Sequence, residues 1–284
     1  MSDSSYEYGL CIDGGGVGGI GPASFLAKAG LPLPKFGAGT SVGSMIIAMM
    51  AVGIPQGRLP VEFQKRAKTI FAEPAISWRM DPRKPKFPSK GLEAELKNVL
   101  GASTRISDTQ FPIFIVSHDW VFNKPKVWDS WDGELLWECV AASCSAPAWF
   151  PPRQGLADGG TIANNPAMVA ICGAKHKLNI PVEQQAILSL GTNGDFWKDP
   201  HIGVNTSKLG WAEILLSNPT RGNEMLATFQ AQTILEERFL RLEPILSNDY
   251  GLADLKFMSE YGKLWEHFLD LRSGELGEFK HKFV

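Results

Sequence analysis

Hydrophobic and polar positions alternate along this chain in two rhythms. Short apolar runs of strand length occur at residues 8–12, 35–38, 111–118 and 186–190, with a more mixed strand over 126–131. Between them lie longer segments whose apolar residues recur every three to four positions. These predict helices over 42–52, 60–72, 89–100, 135–144, 167–177, 223–238 and 255–271. Pro22 stands where a helix after the first strand would begin, and Ser89 where a helix cap is expected. Strands alternating with helices predict a largely parallel central sheet between two helical layers, a three-layer α/β/α architecture. The apolar stretch 42–54 is too short to span a bilayer, which takes about 20 residues, so it is expected to be a buried central helix. No repeat, low-complexity linker or break in composition divides the 284 residues, and a single domain over 1–284 is expected.

Three turns within this pattern point to chemistry. The first is Asp13-Gly14-Gly15-Gly16-Val17-Gly18-Gly19, directly after the first strand. Consecutive glycines let several backbone N–H groups converge on one anion, either a phosphate or the oxyanion of an acyl-transfer intermediate. The second is Gly39-Thr40-Ser41-Val42-Gly43. A glycine two residues before and two after the serine permits a tight strand-to-helix turn that pushes the serine side chain outward. The third is Asp158-Gly159-Gly160, followed by Asn164-Asn165-Pro166. A serine nucleophile needs a base, and a carboxylate within hydrogen-bond reach can serve.

Each turn has a competing reading. Gly14, Gly16 and Gly19 also match the dinucleotide-binding fingerprint, which wants an acidic residue about 20 positions on. No Asp or Glu occurs between Gly14 and Val61, and the Ser41 turn stands where that acid would be. A Ser-His-Asp esterase would need a histidine after the acid, and His176, His201 and His267 qualify by order alone. None of the three sits in a distinctive loop, and each reads as a surface histidine. A non-catalytic lipid- or nucleotide-binding module would keep the same pocket without forming an acyl-serine.

Taken in order, Asp13-Gly14-Gly15-Gly16, the Gly39 to Gly43 elbow and Asp158-Gly159-Gly160 resemble the patatin-like phospholipases. Ser145-Ala146-Pro147, Phe150-Pro151-Pro152, Asn165-Pro166, Ser189-Leu190-Gly191-Thr192 and Phe239-Leu240-Arg241-Leu242 extend the similarity over about residues 8–245, leaving a helical C-terminal extension. The resemblance implies a patatin-like fold and a lipid acyl hydrolase that works with a Ser-Asp dyad and no catalytic histidine. It implies Ser41 as nucleophile, Asp158 as general base and the N–H groups of Gly14, Gly15 and Gly16 as oxyanion hole. Gly39, Gly43, Gly159 and Gly160 complete the motifs. It also implies a lipid substrate and no cofactor. One departure stands out: Gly18 occupies a place where the family usually carries Arg or Lys.

Composition narrows the partners. A net charge of -2 argues against general nucleic-acid binding, which wants a basic face. Cys11, Cys139, Cys144 and Cys172 show no paired spacing, so reduced core thiols are expected rather than a zinc site or disulfides, and no metal cluster is visible. The polar, acidic first seven residues do not read as a secretory signal, so a cytoplasmic protein touching membranes only peripherally is expected. Residues 79–90 carry Arg79, Arg83, Lys84, Lys86 and Lys90 against Asp81 and read as a solvated loop with a capacity for anionic headgroups. Trp120, Trp128, Trp131, Trp137 and Trp149 cluster within one stretch, for which core packing is expected ahead of membrane contact.

Overall fold

The computed structural model describes residues 6–72, 74, 80, 81, 84–192, 219–246 and 251–284. Its centre is β1 (Glu7–Ile12), whose last five residues are all buried. Around it lie β2 (Phe36–Thr40), β3 (Ile113–Asp119), β4 (Lys124–Asp129), β5 (Leu156–Asp158), β6 (Gln185–Leu190) and β7 (Phe239–Leu242). The sheet runs in the order β4-β3-β2-β1-β6-β7, with β5 also on β3. From β3 through β7 every neighbouring pair along that path is parallel; β4 and β5 run antiparallel to β3.

The two-residue period of the strands divides the core into two layers. Leu10 and Ile12 of β1, Ile113 and Ile115 of β3, and Leu188 and Leu190 of β6 face one cluster. Cys11, Phe114 and Ile187, at the alternate positions of the same strands, face the other, with Phe36 and Ala38 of β2. The first face is covered by α1 (Ile20–Ala29), α2 (Val42–Ala51), α3 (Leu59–Ile70), α4 (Ser89–Leu100), α5 (Leu136–Ser143), α9 (Met258–Leu271) and α10 (Ser273–Phe283). The second is covered by α7 (Ala167–Lys177) and α8 (Pro219–Leu235). A single turn, α6 (Gly160–Ala163), follows β5.

Every residue of α2 is buried, as befits a helix apolar on all sides. On the same face α9 crosses α1, and Trp265 is fully buried with its ring 5.7 Å from that of Phe25. Gly21 makes room for it, since a Cβ there would sit 2.0 Å from the indole nitrogen. No helix among the described residues is long and apolar enough to cross a membrane.

The expected elements recur within a few residues, with four differences. Ser89 is the first helical residue of α4, while Pro88 takes the cap position without a side-chain bond. The helix expected at 223–238 runs earlier, over 219–235, because Glu236 adopts φ 53 and a short 3-10 turn leads into β7. β5 has three residues and α10 contains Gly274 and Gly277, so neither carries a strong periodic signal. Among the four cysteines, Cys11, Cys139 and Cys144 are buried as expected; Cys172 is exposed on the outer side of α7.

Trp265→Ala is expected to cost about 3–5 kcal/mol in urea unfolding, the range for a large aromatic removed from a packed core. A loss near zero would mean that α9 is not part of the core.

Candidate active site

The β3 edge brings two distant segments together. β2 pairs with β3 only as far as Thr40 opposite Val116, and β5 takes up the same edge from Ser117, opposite Asp158. Where β2 leaves the sheet, the chain turns into α2 through Ser41. Ser41 adopts φ 51 and ψ -127, a conformation that costs a non-glycine residue about 1–3 kcal/mol. Its N–H donates to the Ser143 hydroxyl at 2.8 Å, which in turn donates to the Val116 carbonyl at 2.6 Å. Its carbonyl accepts from the Ser44 hydroxyl at 2.6 Å. These bonds hold the strained turn in place. The flanking glycines are steric necessities: a Cβ on Gly43 would lie 2.1 Å from the Ile12 carbonyl oxygen, and one on Gly39 would lie 2.5 Å from the Ser44 nitrogen.

The glycine loop lies against this elbow. A Cβ on Gly14 would stand 3.0 Å from the Ser41 Cβ and 2.4 Å from Asn164 Oδ1. The Gly14 N–H donates to the Asn164 carbonyl at 3.3 Å. Its own carbonyl accepts from the Asn164 amide at 3.1 Å and from the Thr192 hydroxyl. Among the described residues, no acceptor takes the N–H of Gly15 or Gly16. Gly16 has φ 56, in the left-handed region, and the next N–H, of Val17, donates to Leu252. Gly18 is buried, and a Cβ there would meet the Thr192 carbonyl oxygen at 2.3 Å. A side chain at position 18 would therefore require the Thr192 backbone to move.

Asp158 is buried at the end of β5. Its N–H donates to the Ser145 carbonyl at 3.0 Å, and its Oδ1 accepts from the Gly160 N–H at 2.7 Å. The Ser41 side chain stands near enough to the carboxyl to act on its titration. Burial pushes the Asp158 carboxyl up to about 6, while nearby Ser41 and the Gly160 N–H oppose the rise. Gly159 is held so close to Val116 that a Cβ would lie 2.3 Å from its carbonyl oxygen, and one on Gly160 would lie 2.7 Å from Asn164 Oδ1.

Several supporting residues carried no signal of this role in the sequence. Arg241 of β7 forks onto Asp13 at the head of the glycine loop, at 2.9 and 2.6 Å. It also donates to Ser189 and Glu243, each at 2.9 Å. Burial raises the Asp13 carboxyl, and the guanidinium opposes that rise. From the first turns of α8, Asn223 accepts the Asn164 N–H at 2.8 Å and donates to the Gly160 carbonyl at 3.1 Å. Glu224 accepts from the Asn164 side chain, and burial together with Glu243 raises its pKa. The only local hint was the asparagine pair after Asp158.

The other expected candidates fall elsewhere. His176 and His267 are exposed on α7 and α9, and His201 lies outside the described residues. His118 is buried, with Nδ1 2.8 Å from Thr161 Oγ1. No described histidine is hydrogen-bonded to Ser41 or Asp158. In the basic segment, Arg79 and Arg83 lie outside the described residues, Lys84 is exposed, and the Lys86 ammonium sits 4.6 Å over Trp149. The tryptophans divide: Trp137 is buried as expected, whereas Trp120 and Trp131 are exposed. A cavity of about 540 Å³ lined by Gly53, Arg58, Arg66, Asn98 and Gln110 lies at the C-terminal end of α2, away from Ser41. No group of three His, Cys, Asp or Glu side chains among the described residues is arranged to hold a metal ion.

A model of the patatin-like phospholipase family matches residues 10–171, the span that holds the glycine loop, the Ser41 elbow and the Asp158 turn. The chain belongs to the patatin-like phospholipase family. Patatin-like protein 1 of Oryza sativa is 26% identical over 245 residues, covering 64% of this chain and 58% of that protein. The putative sporulation hydrolase CotR of Bacillus subtilis is 26% identical over 282 residues, covering 84% of this chain and 87% of its own length. The cGAMP-activated phospholipase of Vibrio cholerae is 26% identical over 227 residues, covering 66% and 64%. The chain therefore spans less than two thirds of the rice and Vibrio relatives. Membership in this patatin-like family indicates lipid acyl hydrolase chemistry in general.

Two outcomes follow for this patatin-like site. If Asp158 must be ionised, kcat/KM on a soluble ester rises with pH through about 6 and levels above it, because the free carboxyl titrates there. A profile flat from pH 5 to pH 8 would remove Asp158 as the titrating base. Arg241→Met leaves the buried Asp13 carboxyl without its partner and is expected to destabilise the fold by about 3–5 kcal/mol in chemical unfolding.

Proposed function

We propose that this protein is a serine acyl hydrolase that cleaves fatty-acyl esters of phospholipids or related lipids through a Ser41-Asp158 dyad. The observation that carries this reading is the approach of the Ser41 hydroxyl to a buried carboxyl whose pKa is raised to about 6. A carboxyl at its ordinary value near 4 is a weak base; one near 6 is a better proton acceptor and still ionised at neutral pH.

In the first half-reaction Asp158 takes the Ser41 proton as Oγ attacks the ester carbonyl carbon. The carbonyl oxygen becomes negatively charged and is met by the N–H groups of Gly15 and Gly16, with Gly14 supporting the loop through its bonds to Asn164. The positive end of α2 favours the same charge. Collapse of the tetrahedral species breaks the bond to the alcohol oxygen, which leaves with the proton from Asp158, and acyl-Ser41 remains. In the second half-reaction Asp158 takes a proton from water, the hydroxide oxygen attacks the acyl carbon, and the fatty acid departs as Ser41 Oγ recovers its proton. The two steps balance with water as the only co-reactant. The reading takes residues 1–284 as one patatin-like unit that meets its lipid from the aqueous side of a membrane.

The test is labelling with a fluorophosphonate probe alongside hydrolysis of p-nitrophenyl butyrate. Ser41→Ala is expected to abolish labelling and lower hydrolysis by about a thousand-fold or more. Asp158→Asn is expected to lower hydrolysis by about a hundred-fold or more, the usual contribution of a positioned base. Full activity in Asp158→Asn would place the base elsewhere and overturn the dyad.

A further inference from the structure

The β3–β4 hairpin carries three apolar residues in a row at its tip, and all three point into water. Trp120, Val121 and Phe122 are 55%, 68% and 71% exposed. A run of this kind on a surface calls for a function, since a hairpin turn asks only for Gly, Asn or Asp. The tip is firmly built. Asp119 Oδ1 accepts the N–H groups of Val121 and Phe122, each at 3.1 Å, and Asn123 supplies the left-handed residue at φ 48. The Trp120 N–H donates to the Gly155 carbonyl at 3.0 Å, and its ring centre lies 4.8 Å from that of His118.

Its placement relates it to the candidate active site. β3 runs parallel to β2, so the hairpin leaves the sheet at the end where β2 delivers Ser41. Asp158 pairs with Ser117, three residues before Trp120, so the tip projects about 10 Å past the Asp158 backbone at about 3.3 Å per residue. Both flanks of Asp158 touch the hairpin: Gly155 through the Trp120 N–H, and Thr161 through His118 Nδ1. Lysines collar the apolar cap. The Lys124 ammonium lies 4.9 Å from the Phe122 ring centre and that of Lys126 lies 4.1 Å from Trp128. The acid at the tip, Asp119, is turned onto the N–H groups of its own turn.

We propose that this hairpin tip docks the protein on a lipid surface bearing anionic headgroups. Trp120, Val121 and Phe122 enter the boundary between headgroups and acyl chains, and Lys124 and Lys126 meet the headgroup phosphates. An apolar cap with a cationic collar matches that layered surface, apolar inside and negatively charged outside. The proposal rests on the lipid-hydrolase reading, because a substrate held in a bilayer must be reached from its surface.

The experiment separates binding from turnover. Vesicle flotation is measured in the Ser41→Ala background on phosphatidylcholine vesicles with and without phosphatidylglycerol. Val121→Ser with Phe122→Ser is expected to lower the bound fraction by about tenfold or more, given the apolar area these side chains would bury. Lys124→Gln with Lys126→Gln is expected to lower binding by about tenfold or more on the anionic vesicles alone. With Ser41 intact, the Val121/Phe122 variant is expected to hydrolyse p-nitrophenyl butyrate at the unaltered rate while its hydrolysis of vesicle phospholipid falls in step with binding. Undiminished flotation of that variant would overturn the proposal, as would a lost self-association with flotation unchanged. If the unsubstituted protein hydrolyses neither substrate while the Ser41→Ala protein floats and the tip variant does not, the docking surface stands and the hydrolase reading falls.

Discussion

The close approach of two backbone segments governs this site. The first turn of α2 rests on the end of β1, with Gly43 so near that a Cβ would lie 2.1 Å from the Ile12 carbonyl oxygen and 2.6 Å from that of Asp13. Only glycine allows that distance. Because of it, the helix N-terminus faces the glycine loop, and Ser41 is forced into its strained turn beside Gly14. Asp13 leads into that loop, so its anchoring by Arg241 from β7 fixes the loop from the far side of β6. Ser143 then takes up the Ser41 N–H, and the Ser44 hydroxyl adds a bond to the Ser41 carbonyl. Strain at one residue is offset by hydrogen bonds contributed from these two others.

The sheet supplies the second constraint. By ending β2 at Thr40 and letting β5 take over the same edge of β3, the fold sets a serine and a carboxylate together without either being near the other in sequence. Burying that carboxyl has a thermodynamic cost. Its folded-state pKa of about 6 lies above the ordinary 3.8, so between pH about 4 and about 6 the folded protein holds a proton that the unfolded chain has lost. Stability therefore falls as pH rises through that window, and the cost persists at neutral pH. A functional group that weakens its own fold is consistent with the reading of Asp158 as a base.

How much of this was legible depended on whether the physics was local. The elbow and the glycine loop announced themselves because close backbone contact demands glycine at set offsets from Ser41 and Asp13. The layers followed from strand and helix periods, down to a central helix apolar on every side. Arg241 was visible only as part of a strand, because its partner Asp13 lies 228 positions away and nothing nearby in sequence marks the pairing. Asn223 and Glu224 were hidden for the same reason, since α8 reaches the Asp158 turn through space rather than along the chain. Gly14 read as an oxyanion donor, yet its N–H is taken up by Asn164, a contact that only the folded loop reveals. The tryptophan-rich stretch misled in part: Trp137 packs inside, whereas Trp120 sits at a hairpin tip that residue type alone does not distinguish from a core strand.

The most direct test of the central claim is to trap the acyl-enzyme. The protein would be quenched in acid during turnover of a fatty-acyl p-nitrophenyl ester, digested, and its peptides weighed. The account predicts a peptide containing Ser41 heavier by the acyl group, formed within the burst and lost as the ester is exhausted. An acyl group on another residue, or steady hydrolysis in Ser41→Ala protein, would contradict it.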